Sequence, residues 1–198
     1  MWNHNNHFHN YLLDKFPQKI NSVLDVGCGL GEFAKKLASR AAVVDAIDAD
    51  IATIEIAQNQ SILGNINYRY GNFLDLDFAE NSYDLIVAIA SIHHMDLEAA
   101  LLKMKSLLRP SGKLLILGLY REANFLDYLY SFISVPLNWL YLNWHGKSKL
   151  LAIKKFAPTR PSTLSFSQIN SIAKRLIPGC QIKRHLFWRY SLIWQKNS

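Results

Sequence analysis

Short apolar runs alternate with helix-period segments through the first two thirds of the chain. Val23-Leu24-Asp25-Val26, bounded by Gly27, reads as a buried strand. Over residues 32–40 and just beyond, Phe33, Lys36, Leu37 and Ala41 fall at helical spacing. Residues 43–47 form a second strand, 51–60 a helix and 66–70 a third strand. Residues 85–90 are almost entirely apolar, as a strand covered on both faces should be. Asp96 can cap the next helix, whose inner stripe is Leu97, Leu101, Met104, Leu107 and Leu108. Arg109-Pro110-Ser111-Gly112 ends that helix, and 113–119 is a fifth strand. Alternation of this kind predicts a parallel sheet wrapped by helices.

The last third breaks the alternation. Residues 125–144 are aromatic and apolar and approach the length of a membrane span. Asp127 and Pro136 inside the stretch, with no second span, argue instead for two short amphipathic helices forming a cover. Residues 157–162 form a linker, and 165–177 a helix capped at Ser165 or Ser167. Pro178-Gly179 then turns the chain into two strands, 181–187 and 190–195, close enough to pair antiparallel.

The chain has 198 residues, half of them hydrophobic, which suits one core and excludes disorder as the main state. Two cysteines make no disulfide framework, and the opening residues show neither a cationic start nor an apolar run, so a cytoplasmic protein without a secretory leader is expected. Charge is unevenly spread. Residues 1–102 hold six Lys/Arg and thirteen Asp/Glu, a net −7, whereas 103–198 hold sixteen and two, a net +14. The basic third suggests an anionic group or surface as partner, or simply a solvated face.

Val23-Leu24-Asp25-Val26-Gly27-Cys28-Gly29-Leu30-Gly31 carries the most information. Its glycines let a strand turn sharply into a helix while the main chain approaches a ligand. A dinucleotide loop needs a small residue where this chain has Glu32. Asp25 has no use beside a pyrophosphate, but an obvious one beside an ammonium group. Asp48 ends the second strand and suits the two hydroxyls of a ribose. At the end of the third strand, Asn72 can bond an adenine amino group, while Phe73 offers a main-chain N–H and a wall. Three successive strand ends thus suit an adenosine with a zwitterionic, cationic tail, a description that S-adenosylmethionine fits.

With that loop, Ala46-Ile47-Asp48, Gly71-Asn72-Phe73, Ser82-Tyr83-Asp84-Leu85-Ile86, Ile92-His93-His94-Met95-Asp96 and Leu107-Leu108-Arg109-Pro110-Ser111-Gly112-Lys113-Leu114, the chain resembles the class I S-adenosylmethionine-dependent methyltransferases, in particular the small bacterial type 11/type 25 kind. The resemblance covers about half the chain and implies a Rossmann-like α/β fold: a seven-stranded mixed sheet, helices on both faces and a C-terminal antiparallel hairpin. It also implies that Asp25, Gly27, Cys28 and Gly29 surround the methionine tail, that Asp48 and Ala49 hold the ribose, and that Asn72 and Phe73 hold the adenine. Ala88 to Ala90 would face the methyl donor. Asn72 replaces the usual acid, and a modest change in affinity is expected.

Transfer from a sulfonium needs alignment and desolvation, and a base only where the acceptor must lose a proton. His93 and His94, just past the fourth strand, are candidates for that base or for orienting the acceptor; read as structure, one of them orders its loop. Trp2, His4, His7 and His9 belong to an N-terminal lid, residues 1–20, rather than to a metal site, and no metal is expected. Cys28 reads as a packing residue. Tyr120 and Arg121 would open an insertion, 120–163, that covers the acceptor pocket within a single domain. The predicted activity is methylation of a small, hydrophobic or aromatic molecule, with S-adenosylhomocysteine as product. Alternatives are an RNA methyltransferase, a membrane-associated lipid or quinone methyltransferase, and a scaffold that binds cofactor without turnover. Against RNA, the fourth strand ends in Ala88-Ile89-Ala90-Ser91 and lacks a base-stacking Asn/Asp-Pro-Pro-aromatic loop.

Overall fold

The computed structural model describes residue 9 and residues 11–15, 19–123 and 162–197. Trp2, His4 and His7, the aromatic stretch 125–144 and most of the linker lie outside the described residues. The elements run β1 (Ile20–Val26), α1 (Glu32–Ala38), β2 (Ala41–Asp48), α2 (Ile51–Asn59), β3 (Ile66–Tyr70), β4 (Tyr83–Ile89), a 3₁₀ turn (Ile92–His94), α3 (Leu97–Leu107), β5 (Leu108–Leu119), α4 (Phe166–Leu176), β6 (Gln181–His185) and β7 (Arg189–Gln195). Seven strands make one sheet in the order β3-β2-β1-β4-β5-β7-β6. β1 to β5 pair in parallel, and β7 runs antiparallel to both β5 and β6. This is the Rossmann-like arrangement expected, hairpin included.

Strand alternation builds two cores. On β5, Leu114 and Ile116 join one cluster with α3, α4 and β7, while Leu115 and Leu117 join the other with α1 and Leu12. Helix starts follow their caps: the Asp96 carboxylate accepts from the Ala99 N–H at 2.8 Å. Ser165, not Ser167, caps α4 in a reciprocal box with Gln168.

Several boundaries shift from the sequence reading: β1, β2 and β4 start earlier, Ala41 opens β2 instead of continuing α1, and two further differences change the local structure. β5 begins at Leu108, so Arg109-Pro110-Ser111-Gly112 lies inside the strand instead of between helix and strand. Tyr83 pairs with Leu108 and Leu85 with Lys113, an irregularity that absorbs the extra residues. Lys196 holds it from outside: its carbonyl accepts from the Ser111 N–H, and its Nζ donates to Asn81 Oδ1 and to the carbonyls of Lys105 and Leu108. The hairpin turns earlier than expected, at residues 186–188, with Phe187 and Trp188 at φ of 60° and 57°.

The sheet's order positions the site. β1 lies between β2 and β4, so connections leave β1 and β4 in opposite directions and open a cleft at their C-terminal ends.

Candidate active site

The loop after β1 is shaped by the end of β2. The N–H groups of Gly27 and Cys28 both donate to the Ile47 carbonyl, at 2.8 and 2.9 Å. Gly27 has φ +73°, and a Cβ there would stand 2.2 Å from Ser91 Cβ, so only glycine fits. Gly29 has φ +54° but nothing within 4 Å of an added Cβ. That open side is where a ligand can meet bare main chain.

Asp48 joins this loop to β2. Its Oδ2 accepts from the Gly29 N–H at 2.8 Å and its Oδ1 from the Asp50 N–H at 3.0 Å. Two bonds fix the carboxylate and leave acceptor capacity for a pair of hydroxyls. Ala49 beside it is exposed.

Asp25 provides the test of a cationic ligand. Its side chain is 1% exposed and its Oδ2 has no hydrogen-bond partner. Burial, and secondly the Asp48 charge, push its pKa up to about 7. A buried carboxylate oxygen with no donor, beside a second carboxylate, lacks a cation, and the ammonium of S-adenosylmethionine matches that need. The same surroundings, burial first, raise the Cys28 thiol far above its ordinary value, so it stays protonated and is no nucleophile.

At the end of β3 the Gly71 N–H donates to the Asp48 carbonyl at 2.9 Å, bringing Asn72 close to the end of β2. Asn72 is exposed; its Oδ1 accepts from the Leu74 N–H and its Nδ2 donates to Asp75 Oδ2 at 2.8 Å. Asp75 therefore brings a carboxylate to the side of the Asn72 amide. The Phe73 ring is 3% exposed and packs with Phe78, so the core takes its side chain and its main chain faces the site question alone.

After β4, Ala88 is fully buried, whereas Ala90, at φ +52°, is half-buried and donates its N–H to the Leu117 carbonyl. Ser91 Oγ donates to the Val26 carbonyl at 2.5 Å, and the Ser91 carbonyl accepts from the His94 N–H. One buried serine thus ties the end of β1 to the turn that carries both histidines. The imidazoles meet at a tilt of 40° with centroids 3.9 Å apart; His93 is half-buried and His94 exposed. His93 lines a concavity with Ile92, Met95, Leu97, Leu119 and Leu164.

Tyr120 is 3% exposed, with its ring edge-on to Phe166 and beneath the Arg184 guanidinium. Arg121 is exposed, and its N–H donates to the Leu164 carbonyl. Residues 121 and 165 are bridged, so the segment between them leaves and returns at one point, at the end of β5. His9 is buried against Phe33, its pKa lowered to about 4 by burial and then by Lys36.

Sequence reasoning missed Ser91, Tyr68 and Lys103, whose Nζ donates to the Leu74 and Leu76 carbonyls just past Asn72. Tyr68 reaches from β3 to fill the space beneath Gly31. None of them sits in a recognisable spacing, because each acts across the fold.

Comparison with known proteins bears on the family and the fold. Residues 23–112 match the family described as "Methyltransferase domain". An uncharacterized methyltransferase of Mycobacterium bovis is 29% identical over 98% of this chain and 96% of its own length. The O-methyltransferase rstn1 of Aspergillus nomiae is 37% identical over 51% of this chain and 48% of its own. Among solved structures, a putative S-adenosylmethionine-dependent methyltransferase from Listeria monocytogenes superposes with a TM-score of 0.69 over 98% of both chains, at 12% identity.

Proposed function

We propose that this chain, which belongs to the class I S-adenosylmethionine-dependent methyltransferases, methylates a hydroxyl on a small apolar or aromatic molecule. The observation that supports the reading is the place of His93, half-buried just past β4 on the wall of a small concavity of about 30 Å³ that it shares with Ile92, Met95, Leu97 and Leu119. Held at the ends of β1, β2 and β3, the cofactor would supply a methyl group already activated on a sulfonium.

The residues of the chain divide the remaining work. Asp25, Gly27, Cys28 and Gly29 hold the amino-acid tail, Asp48 with Ala49 the ribose, and Asn72 with the Phe73 main chain the adenine. Ser91 keeps the glycine loop and the histidine turn at a fixed distance, which is what alignment of donor and acceptor requires. Ile92, Met95, Leu97 and Leu119 exclude water from the reacting centre. His93 accepts the hydroxyl proton as the acceptor oxygen attacks, and His94 packs against it at a tilt. Residues 1–20 and 120–163 act as lid and cover within a single cytoplasmic domain.

O-methylation is favoured by the Aspergillus relative, whose name assigns it that activity. A small acceptor is favoured over RNA by the fate of the bases. Seven of the eleven described from Lys103 onward are engaged within the chain: Lys103, Lys105, Arg109, Arg175, Arg184, Arg189 and Lys196. Among the described residues, no helix is long and apolar enough to cross a membrane.

The test is to incubate the protein with methyl-labelled S-adenosylmethionine and fractionated extract. Label should enter an organic-soluble compound as a methyl ether, and His93→Ala should abolish its appearance. Label in RNA, or the absence of any product, would overturn the reading.

A further inference from the structure

The turn that follows β3 is held from a distance. The Asn72 carbonyl accepts from the N–H groups of Asp75 and Leu76, at 3.0 and 3.1 Å, and the Leu76 side chain folds against Gly71. From the middle of α3, Lys103 Nζ donates to the carbonyls of Leu74 and Leu76, at 2.9 and 2.5 Å. The same ammonium lies 5.2 Å from the centroid of Phe73 and 5.5 Å from that of Phe78. One cation thereby gathers two carbonyls and two aromatic faces from a span of six residues.

We infer that Lys103 is a positioning residue for adenine recognition, setting the main chain at residues 72–74 without touching the cofactor. This rests on the proposed role of Asn72 and Phe73. Phe73 can offer the base only its N–H, since its ring is buried beneath the ammonium. An N–H selects adenine by where it points: the Phe73 N–H shares a peptide plane with the Asn72 carbonyl, which the Asp75 N–H holds, and that N–H shares its plane with the Leu74 carbonyl held by Nζ. Charge-assisted bonds to main chain carry more than neutral ones, and the aromatic faces add to them. Ribose and tail contacts arise from β1 and β2 and do not pass through Lys103.

The experiment is calorimetric titration of the full chain with S-adenosylhomocysteine and with its inosine counterpart, which presents a different base edge on the same sugar and tail. In Lys103→Met, S-adenosylhomocysteine should bind about tenfold more weakly and the inosine form less than about threefold, shrinking the preference for adenine. Turnover at saturating cofactor should stay unchanged, and Lys103→Arg, which keeps two donors, should recover most of the preference. Where Lys103→Met fails to fold, Lys103→Gln should show the same selective loss. Equal weakening of both ligands, or no recovery by arginine, would make the residue merely structural and overturn the inference. Asn72→Ala separates the two ideas. If it alone shrinks the preference, the adenine site stands and the role of Lys103 falls; if neither variant does, both fall.

Discussion

Asp25→Asn should stabilise the cofactor-free protein at pH 8 and weaken its hold on the cofactor. The carboxyl is 1% exposed, and burial followed by the Asp48 charge raises its pKa from 3.8 to about 7. An acid with a raised folded-state pKa keeps its proton in the folded protein after the unfolded chain has released its own. Between those two values the folded state binds more protons, so stability falls as pH rises through the window. At about 1.4 kcal/mol per pH unit, the interval costs on the order of 4 kcal/mol once the group is fully ionised. Asparagine removes the charge but brings a buried amide to satisfy, at about 2 kcal/mol, leaving a net gain of ~2 kcal/mol at pH 8. At pH 5 only about 1.6 kcal/mol of that cost has accrued, less than the amide penalty, and the gain should vanish. His9 titrates with the opposite sign: its pKa, lowered to about 4, makes stability rise with pH from there to the ordinary histidine range. Comparing both proteins at the same pH cancels that contribution. Urea denaturation at pH 5 and pH 8 measures the stabilities, and calorimetry with S-adenosylhomocysteine at pH 8 measures the affinity. Affinity should fall at least ~10-fold, because an ionised partner for the ammonium is gone. A variant no more stable than wild type at pH 8, with unchanged affinity, would refute the reasoning.

Other substitutions probe separate parts of the account. Asp48→Ala should weaken cofactor binding by at least ~1.4 kcal/mol by calorimetry, since a shaped carboxylate is lost from both the loop and the ribose. Gly27→Ala forces a Cβ to within 2.2 Å of Ser91 Cβ at positive φ; thermal melts should show a loss of about 1–3 kcal/mol, and cofactor binding should disappear. His93→Ala should abolish turnover with cofactor affinity intact, and His94→Ala should reduce turnover less; full activity in both would eliminate a histidine base. Lys196→Met deletes bonds to three oxygens, and urea denaturation should register about 1–3 kcal/mol with cofactor affinity unchanged.

What the sequence made legible was local. The parallel strands announce themselves as apolar runs, and Asp96 and Ser165 as caps, because those signals depend on neighbours within a few residues. The sharp turn after β1 was readable because positive φ and a crowded Cβ at Gly27 restrict residue type at fixed spacing. The start of β5 was not, because Pro110 and Gly112 look like a helix stop, and only the distant pairing to Tyr83 and Lys196 keeps them in a strand. Phe73 was misjudged as a wall for a similar reason: its ring is drawn into the core by Phe78 and Lys103, from other elements. The link from Ser91 to Val26 spans 65 residues and leaves no mark in the local pattern.

The most direct test is titration of the folded, full-length chain with S-adenosylhomocysteine in the calorimeter, wild type beside Asp48→Ala. A single site, saturating well below millimolar ligand and weakened by the substitution, is the result predicted. No heat and no uptake at millimolar ligand by wild-type protein would contradict the claim that these three strand ends hold the cofactor.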